Sequence, residues 1–235
     1  MSVIKMRAVV VIAVLVSLWT GLGWAQALRV VGFNVESGGA RPDVVDDLIE
    51  EAQGVDMWGF SEVHDDVWVT LFEKAAEHGE AADFKRILGS TGGSDRLLIV
   101  YNADRFDAVR HFELAHINVG GNVRAPLVAH FRFKPAGPEF LFMVNHLYRS
   151  KADRSHEQAR LLNEWARAQT LPVIAVGDYH FDWDVSDGEA DHDRGYDLLI
   201  HDEVFVWIRP QRLIKTQCSF ESVLDFTFMA GDAKR

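Results

Sequence analysis

Short apolar runs alternate with stretches of helical spacing along most of the chain. Runs of four to nine mostly apolar residues, bounded by glycine, proline or polar residues, predict β-strands. These runs cover residues 28–35, 55–62, 97–101, 112–117, 125–133, 140–145, 173–176, 204–208 and 223–229. Apolar residues three or four positions apart predict amphipathic helices over residues 42–52, 67–78 and 154–169.

The predicted strands outnumber the predicted helices, and no repeat, low-complexity tract or linker interrupts residues 28–235. This pattern predicts one α/β (or α+β) domain, in which two β-sheets pack face to face with helices on the outside. Several predicted strands end on polar residues. We expect a functional site at the edge of the sandwich where those strand ends meet.

The first 27 residues differ from the rest of the chain. Lys5 and Arg7 precede an apolar run over residues 8–18, and residues 25–27 form a small-x-small cleavage site. This layout predicts a secretory signal peptide over residues 1–27 and a secreted or periplasmic domain over residues 28–235. The alternative is a membrane anchor, but the apolar run is short for a bilayer span of about 20 residues. We therefore expect no stable membrane insertion after cleavage.

The chain is acidic. It carries 24 Lys and Arg against 35 Asp and Glu, a net charge of -11, and removing Lys5 and Arg7 with the signal takes this to -13. Tight non-specific binding of nucleic acid needs clustered Lys and Arg, so this balance disfavours a processive nuclease. A site where bound cations recruit a phosphoester is still compatible with it. The only cysteine, Cys218, is expected to pack rather than react. We also expect the protein to be a monomer.

Polar residues end four of the predicted apolar strands. They are Asn34 and Glu36, then Glu62, then Asn145 and His146, and finally Asp178 and His180. Each alone is explained as a turn former, a cap or a solvated surface group. Together they supply carboxylate and amide oxygens, which suit Mg²⁺, Mn²⁺ or Ca²⁺. A histidine beside such an ion can donate to a phosphate oxygen.

Five short motifs occur in the order FNVE, SEV, NHL, GDYHFD and LDFTF. In this order the chain resembles the endonuclease/exonuclease/phosphatase superfamily, which is DNase-I-like, from about Leu28 onward. The resemblance implies a four-layer α/β sandwich of two packed mixed sheets flanked by helices. It also implies a divalent-metal-dependent phosphoester hydrolase that forms no covalent intermediate, with Mg²⁺ as the expected ion.

The resemblance also implies roles for individual residues. Glu62 is the main carboxylate ligand of the metal, with Asn34 beside it and Glu36 near a second metal position. His146 contacts the scissile phosphate. Asp178 orients or deprotonates the attacking water, and Asp225 is expected to orient a catalytic histidine further along the chain.

Two departures from the superfamily pattern are visible. His180 stands where the superfamily has Asn, and a histidine can gain charge near neutral pH where an amide cannot. The superfamily's final Ser-Asp-His does not follow Asp225 in LDFTFMAGDAKR. We therefore expect either a C-terminally incomplete domain or a member with impaired catalysis.

Arginines near the strand ends are candidate phosphate contacts because the guanidinium group offers two donors in one plane. Arg149 follows the His146 strand end, and Arg124 is a second candidate. Arg154, with Gln158 one helical turn later, is as well explained by anchoring its helix. The acidic residues 182–197 predict a solvated loop beside the site, in which Trp183 is a candidate to flank a substrate.

Three functions stay open at this point. The first is a secreted nuclease-like phosphodiesterase acting on nucleic acid or a small phosphoester. The second keeps the fold and hydrolyses a phospholipid or an inositol phosphate. The third is a catalytically impaired binding protein with the same sandwich.

Overall fold

A computed structural model describes residues 27–36, 38–121, 123–186, 191–217 and 221–234. Residues 1–26 of the predicted signal peptide and Cys218 lie outside the described residues. Within the described ranges the chain forms ten strands and four α-helices. No helix in these ranges is both long enough and apolar enough to cross a membrane.

The first half of the chain builds a four-stranded sheet. Its strands are β1 (Val30–Asn34), β2 (Met57–Val63), β3 (Phe84–Leu88) and β4 (Arg96–Asn102), in the order β1-β2-β4-β3. β1 and β2 run parallel, and the other pairs are antiparallel. The connections after β1 and β2 contain the helices α1 (Pro42–Glu51) and α2 (Asp66–Glu80).

The second half builds a six-stranded sheet in the order β5-β6-β7-β8-β10-β9. Its strands are β5 (Phe106–Glu113), β6 (Leu127–Phe133), β7 (Glu139–His146), β8 (Val173–Asp184), β9 (Phe205–Trp207) and β10 (Ser222–Ala230). β7 and β8 are parallel neighbours, and the helix between them is α3 (Ala152–Arg167). Helix α4 (Arg194–Ile200) follows β8.

Local sequence explains where the helices begin. Pro42 occupies the first turn of α1, where its missing N–H costs no hydrogen bond. Asp65 caps α2, because its carboxylate accepts hydrogen bonds from the N–H groups of Val67 and Trp68 at 2.9 and 3.1 Å. Asp193 caps α4 by accepting from the N–H of Gly195 at 2.7 Å.

Three apolar clusters give the sandwich its four layers. The central cluster lies between the sheets and includes Met57, Phe142 and Val176. A second cluster lies between α1, α2 and the outer face of the four-stranded sheet, and a third between α3, α4 and the outer face of the six-stranded sheet. Helix, sheet, sheet and helix therefore stack in that order, and the predicted four-layer α/β sandwich of mixed sheets is confirmed.

Several local predictions were wrong, and edge strands account for two of them. β3 and most of β5 were not predicted. Both strands lie at sheet edges, where exposed polar residues such as Lys85 and Arg86 remove the apolar signal. The predicted strand over residues 112–117 combines the end of β5 with a 3₁₀ turn at Ala115–Ile117.

The acidic stretch over residues 182–197 was predicted as a loop, but parts of it belong to β8 and α4. β8 continues past residue 176 because Tyr179, Phe181 and Trp183 alternate along it and are buried. Trp183 packs against Trp207 with ring centroids 5.0 Å apart, so it is part of the core rather than a residue that flanks a substrate.

The two sheets approach closely where β2 crosses β7 and β8. A Cβ on Gly59 would lie 2.5 Å from Val176 Cγ2 and 2.8 Å from Val144 Cγ2. Real atoms do not approach so closely, so a side chain here would push the sheets apart or displace both valines.

Gly59→Ala is expected to destabilise the fold by about 1–3 kcal/mol through overpacking between the sheets. Gly38→Ala is the matched control, because a Cβ there meets no atom within 4 Å. Urea unfolding of both variants checks the prediction. A Gly59→Ala variant as stable as Gly38→Ala would show that the sheets are not tightly packed at this point.

Candidate active site

The four polar strand ends meet at one edge of the sandwich. β1 and β2 are parallel, and Asn34 is in register with Ser61, next to Glu62. β7 and β8 are parallel in the other sheet, where His146 is in register with Asp178. Since parallel strands end at the same edge, each sheet delivers its polar residues to one place, and the face-to-face packing brings the two sets together.

Asn34 connects the two sheets. Its side-chain nitrogen donates to Glu62 Oε1 at 2.8 Å and to Asp178 Oδ2 at 2.9 Å. Its side-chain oxygen accepts from the backbone N–H of Glu36 at 3.0 Å. The orientation of the amide is thus fixed by its partners, because carboxylate oxygens only accept and a backbone N–H only donates.

Asp178 is buried, and both of its carboxylate oxygens have polar partners. Besides accepting from Asn34, its carboxylate lies 3.0 Å from His180 Nδ1 and accepts from the His180 backbone N–H at 3.1 Å. Burial alone would raise the pKa of the Asp178 carboxyl. The positive fields of His180 and His146 and the hydrogen bonds from His180 and Asn34 outweigh burial and hold that pKa well below its usual value. Asp178 is therefore ionised.

His146 and His180 face each other across the end of β7 and β8. Their Nε2 atoms are 3.3 Å apart. His146 Nε2 is also 3.7 Å from Glu62 Oε1, and His146 Nδ1 is 3.7 Å from Asp95 Oδ1. Both imidazoles are almost entirely buried, and each faces a carboxylate and the other imidazole.

Asp95 and Arg124 complete the cluster. Asp95 was not predicted: it lies in the turn before β4, forms an ion pair with Arg124 and faces His146. Burial raises the pKa of the Asp95 carboxyl to about 6, although Arg124 opposes the shift. Its position after Gly-Gly-Ser looks like an ordinary turn in the sequence, which explains why it was missed.

The backbone at the site adopts uncommon conformations. Glu36, Glu62 and His180 have φ values of 53°, 60° and 53°, in the left-handed region that non-glycine residues rarely occupy. Gly177 has φ 139°, and a Cβ there would lie 2.0 Å from the Asn145 carbonyl oxygen. Such conformations cluster at functional sites, because the surrounding structure must enforce them.

Three other predicted site residues, Asp225, Glu36 and Arg149, differ in how they are placed relative to this cluster. Asp225 lies on β10 in register with Asp178, at the same edge, and its backbone N–H donates to Thr216 Oγ1 at 3.1 Å. The carboxyl group of Glu36 lies beside Gly39, and Glu36 joins the cluster through its backbone N–H. Arg149 is exposed on the loop after β7.

Arg154 and Gln158 anchor the loop after β7. The Gln158 side chain accepts from the Tyr148 N–H at 2.9 Å and donates to the Ile117 carbonyl at 3.1 Å. Arg154 donates to the Tyr148 hydroxyl at 2.8 Å and stacks over its ring. These contacts hold the loop that carries Arg149 against α3. Arg154 and Gln158 thus have an anchoring role.

The donor set suits a divalent cation. Glu62, Asp95 and Asp178 bring three carboxyl groups to the edge, and ligand atoms of His146, Asp178 and His180 lie within 4.8 Å of one another. The carboxyl groups of Glu62 and Asp95 are partly exposed, so an ion can reach them from solvent. A bound cation would offset the mutual repulsion of these carboxylates.

Comparison with known proteins identifies the fold. No protein-family model and no curated protein matches the sequence. Among solved structures, an endonuclease/exonuclease/phosphatase family protein from Bacteroides thetaiotaomicron is 21% identical, with a TM-score of 0.60 over 86% of this chain and 81% of that one. The mannosyl-6-phosphatase of the same species is 20% identical, with a TM-score of 0.60 over 87% and 85%.

A third neighbour is D. rerio TDP2 in complex with a single-stranded DNA product. It is 12% identical, with a TM-score of 0.62 over 87% of this chain and 84% of that one. The chain thus has the fold of the endonuclease/exonuclease/phosphatase proteins, and the resemblance drawn from its motifs is confirmed at that level.

Asp95 is expected to make the metal-free protein less stable as the pH rises. Its pKa is higher in the folded state than the ordinary value of 3.8, so the folded state holds the proton more tightly and loses this advantage as the pH rises through about 6. Asp95→Asn should reduce the fall in melting temperature between pH 4.5 and pH 7.5, measured in EDTA.

Asp66→Asn is the control for this experiment, because Asp66 also pairs with an arginine but is exposed. It should leave the pH dependence of the melting temperature unchanged. An Asp95→Asn variant with the wild-type dependence would contradict the assignment of this titration to Asp95.

Proposed function

We propose that the chain is a secreted, divalent-metal-dependent phosphoesterase that hydrolyses a phosphodiester by attack of water. The observation that carries this proposal is the convergence of Asn34, Glu62, His146 and Asp178 at one edge, where Asn34 donates to Glu62 within its own sheet and to Asp178 across the sheets. The same edge contains two further carboxylates and an arginine, in a fold shared with proteins named as phosphatases and nucleases.

Glu62 is the proposed principal ligand of the cation, with Asn34 beside it and Glu36 near a second ion. A cation bound here would polarise the phosphoryl group and neutralise charge on the leaving oxygen. Asn34 keeps the Glu62 carboxylate in place through the 2.8 Å hydrogen bond. Mg²⁺ is the expected ion for oxygen ligands, and Mn²⁺ or Ca²⁺ would also be compatible.

Asp178 is the proposed base or orienting group for the attacking water. It is ionised, and its Oδ2 retains a lone pair beside the hydrogen bond from Asn34, whereas its Oδ1 is engaged by the ring Nδ1 and the backbone N–H of His180. A water molecule donating to this carboxylate would have one lone pair directed away from it, toward the phosphorus. His146 and His180 are the proposed groups that stabilise negative charge on the phosphoryl oxygens.

Arg124 and Arg149 are the proposed phosphate contacts. Arg124 is mostly buried, and Asp95 holds its guanidinium group. Glu62 and Asp178 also act on the Arg124 charge. Arg149 is exposed on the neighbouring loop, where it can approach a substrate from solvent. The resemblance gives Asp225 the role of orienting a later histidine, but residues 226–235 contain none.

The substrate is proposed to be a small phosphodiester or a short nucleic acid. The net charge of -11 disfavours long, non-specific contact with a polyanion. The fold neighbours include both a protein crystallised with a DNA product and a sugar phosphatase. Hydrolysis of a phospholipid or inositol phosphate, and binding without hydrolysis, are the alternatives to distinguish.

Glu62→Gln is expected to lower metal-dependent hydrolysis at least about 10³-fold, because it removes the charge that holds the cation while keeping the shape of the side chain. Turnover of plasmid DNA, a chromogenic phosphodiester, a phosphomonoester and sphingomyelin is measured with Mg²⁺ and with EDTA. The diester should be cleaved fastest, and EDTA should abolish its cleavage.

Glu164→Gln is the matched control, since Glu164 is an exposed glutamate on α3 whose ion pair is with Arg160. It should retain wild-type turnover. Equal activity of the Glu62→Gln and wild-type proteins would exclude the proposed cation site. A wild-type protein that binds the diester without cleaving it would favour the binding-protein alternative.

Export is a second part of the proposal, and it rests on residues 1–27. Expression of the full chain in a bacterial host should give a periplasmic protein that begins at Leu28. N-terminal sequencing of the purified protein measures this. A cytoplasmic product that keeps its first residues would exclude the predicted signal.

A further inference from the structure

The distance between the two imidazoles matches the spacing of two ligands on one metal ion. Zn²⁺ binds imidazole nitrogen at about 2.0–2.1 Å, which places two ligand nitrogens about 3.4 Å apart in a tetrahedral site and about 2.9 Å apart at a right angle. The Nε2 atoms of His146 and His180 are 3.3 Å apart, a distance at which one ring can also donate to the other when no ion is bound. This pair depends on His180, the residue at which the chain departs from the superfamily pattern.

The other ring nitrogen of each histidine faces a carboxylate. His180 Nδ1 is 3.0 Å from Asp178 Oδ1, and His146 Nδ1 is 3.7 Å from Asp95 Oδ1. The contact with Asp178 favours the His180 tautomer with its proton on Nδ1, which leaves Nε2 with a lone pair, whereas Asp95 lies beyond hydrogen-bond distance of His146 Nδ1. Histidines that bind metals are commonly oriented by a carboxylate in this way.

Glu62 is the carboxylate best placed to complete the site. Asp178 Oδ1 contacts the ring and backbone nitrogens of His180, and its Oδ2 is the oxygen proposed to orient the water. Glu62 Oε1 lies 3.7 Å from His146 Nε2, and the side chain is partly exposed and can adjust. Two imidazole nitrogens and one carboxylate oxygen would then face the same point.

We propose that His146, His180 and Glu62 bind a first-row transition ion such as Zn²⁺ in preference to Mg²⁺. Imidazole nitrogen suits Zn²⁺, whereas Mg²⁺ prefers oxygen ligands and retains much of its water. The two imidazoles would then serve the phosphate as ligands of the cation, in place of direct hydrogen-bond donors. The inference replaces Mg²⁺ as the expected ion of the proposed function and rests on that function for the use of Glu62 as a cation ligand.

Metal binding to the chain, stripped with EDTA, tests this directly without substrate. Calorimetric titration should show Zn²⁺ binding at least about 10²-fold tighter than Mg²⁺, as expected for a site with two imidazoles. Co²⁺, used as a coloured probe, should give the intense visible absorption of a site with low coordination number. Equal affinity for Zn²⁺ and Mg²⁺ in the wild-type protein would overturn the proposal.

His180→Asn should lower the Zn²⁺ affinity by about 10²-fold or more, because it removes one ligand. The Mg²⁺ affinity should change little. Asn suits this position because it tolerates the positive φ of residue 180 better than most residues do. Circular dichroism in EDTA would show that the variant is folded.

His78→Asn is the matched control, since His78 is an exposed histidine that lies 3.1 Å from Glu50 Oε1. It should keep the wild-type Zn²⁺ affinity. A His180→Asn variant with unchanged Zn²⁺ affinity would overturn the proposal, even if it hydrolyses phosphodiesters with Mg²⁺. Selective Zn²⁺ binding by a wild-type protein that cleaves no phosphoester would support this proposal and exclude only the hydrolytic function.

Discussion

The Asn34 amide is the contact on which the arrangement of the site depends. It donates to a carboxylate from each sheet, Glu62 of β2 and Asp178 of β8, and its oxygen is held by the Glu36 N–H. Two carboxylates of like charge are thereby kept close together without direct contact. The amide can reach both only because the sheets approach closely, which small residues such as Gly59 permit.

The electrostatics of the edge follow from this contact. Asp178 is buried yet ionised, because His180, His146 and Asn34 together stabilise its charge. Asp95 is also a carboxylate, but Arg124 does not outweigh its burial, and its pKa is raised. A domain that is acidic overall thus concentrates negative charge beside two imidazoles, and an arrangement of this kind attracts a cation before it can accept a phosphate.

Much of the site was predictable because its residues follow apolar strands. Asn34, Glu62, His146 and Asp178 each end a run whose burial is evident from its composition, so their types and their common edge could be inferred. Asp95 could not be inferred, since it lies in a turn whose sequence resembles any solvated turn. The edge strands were missed for a related reason, because exposed strands carry polar residues that hide their period.

The sequence by itself determined the class of fold, the order of the strand-end motifs and the candidate chemistry, since apolar periodicity is a local property of the chain. The tertiary structure decided which polar groups touch. His146 and His180 are separated by 34 positions, and Asn34 and Asp178 by 144. Such pairs depend on strand register and on how the two sheets pack, and neither is encoded within a short window of sequence.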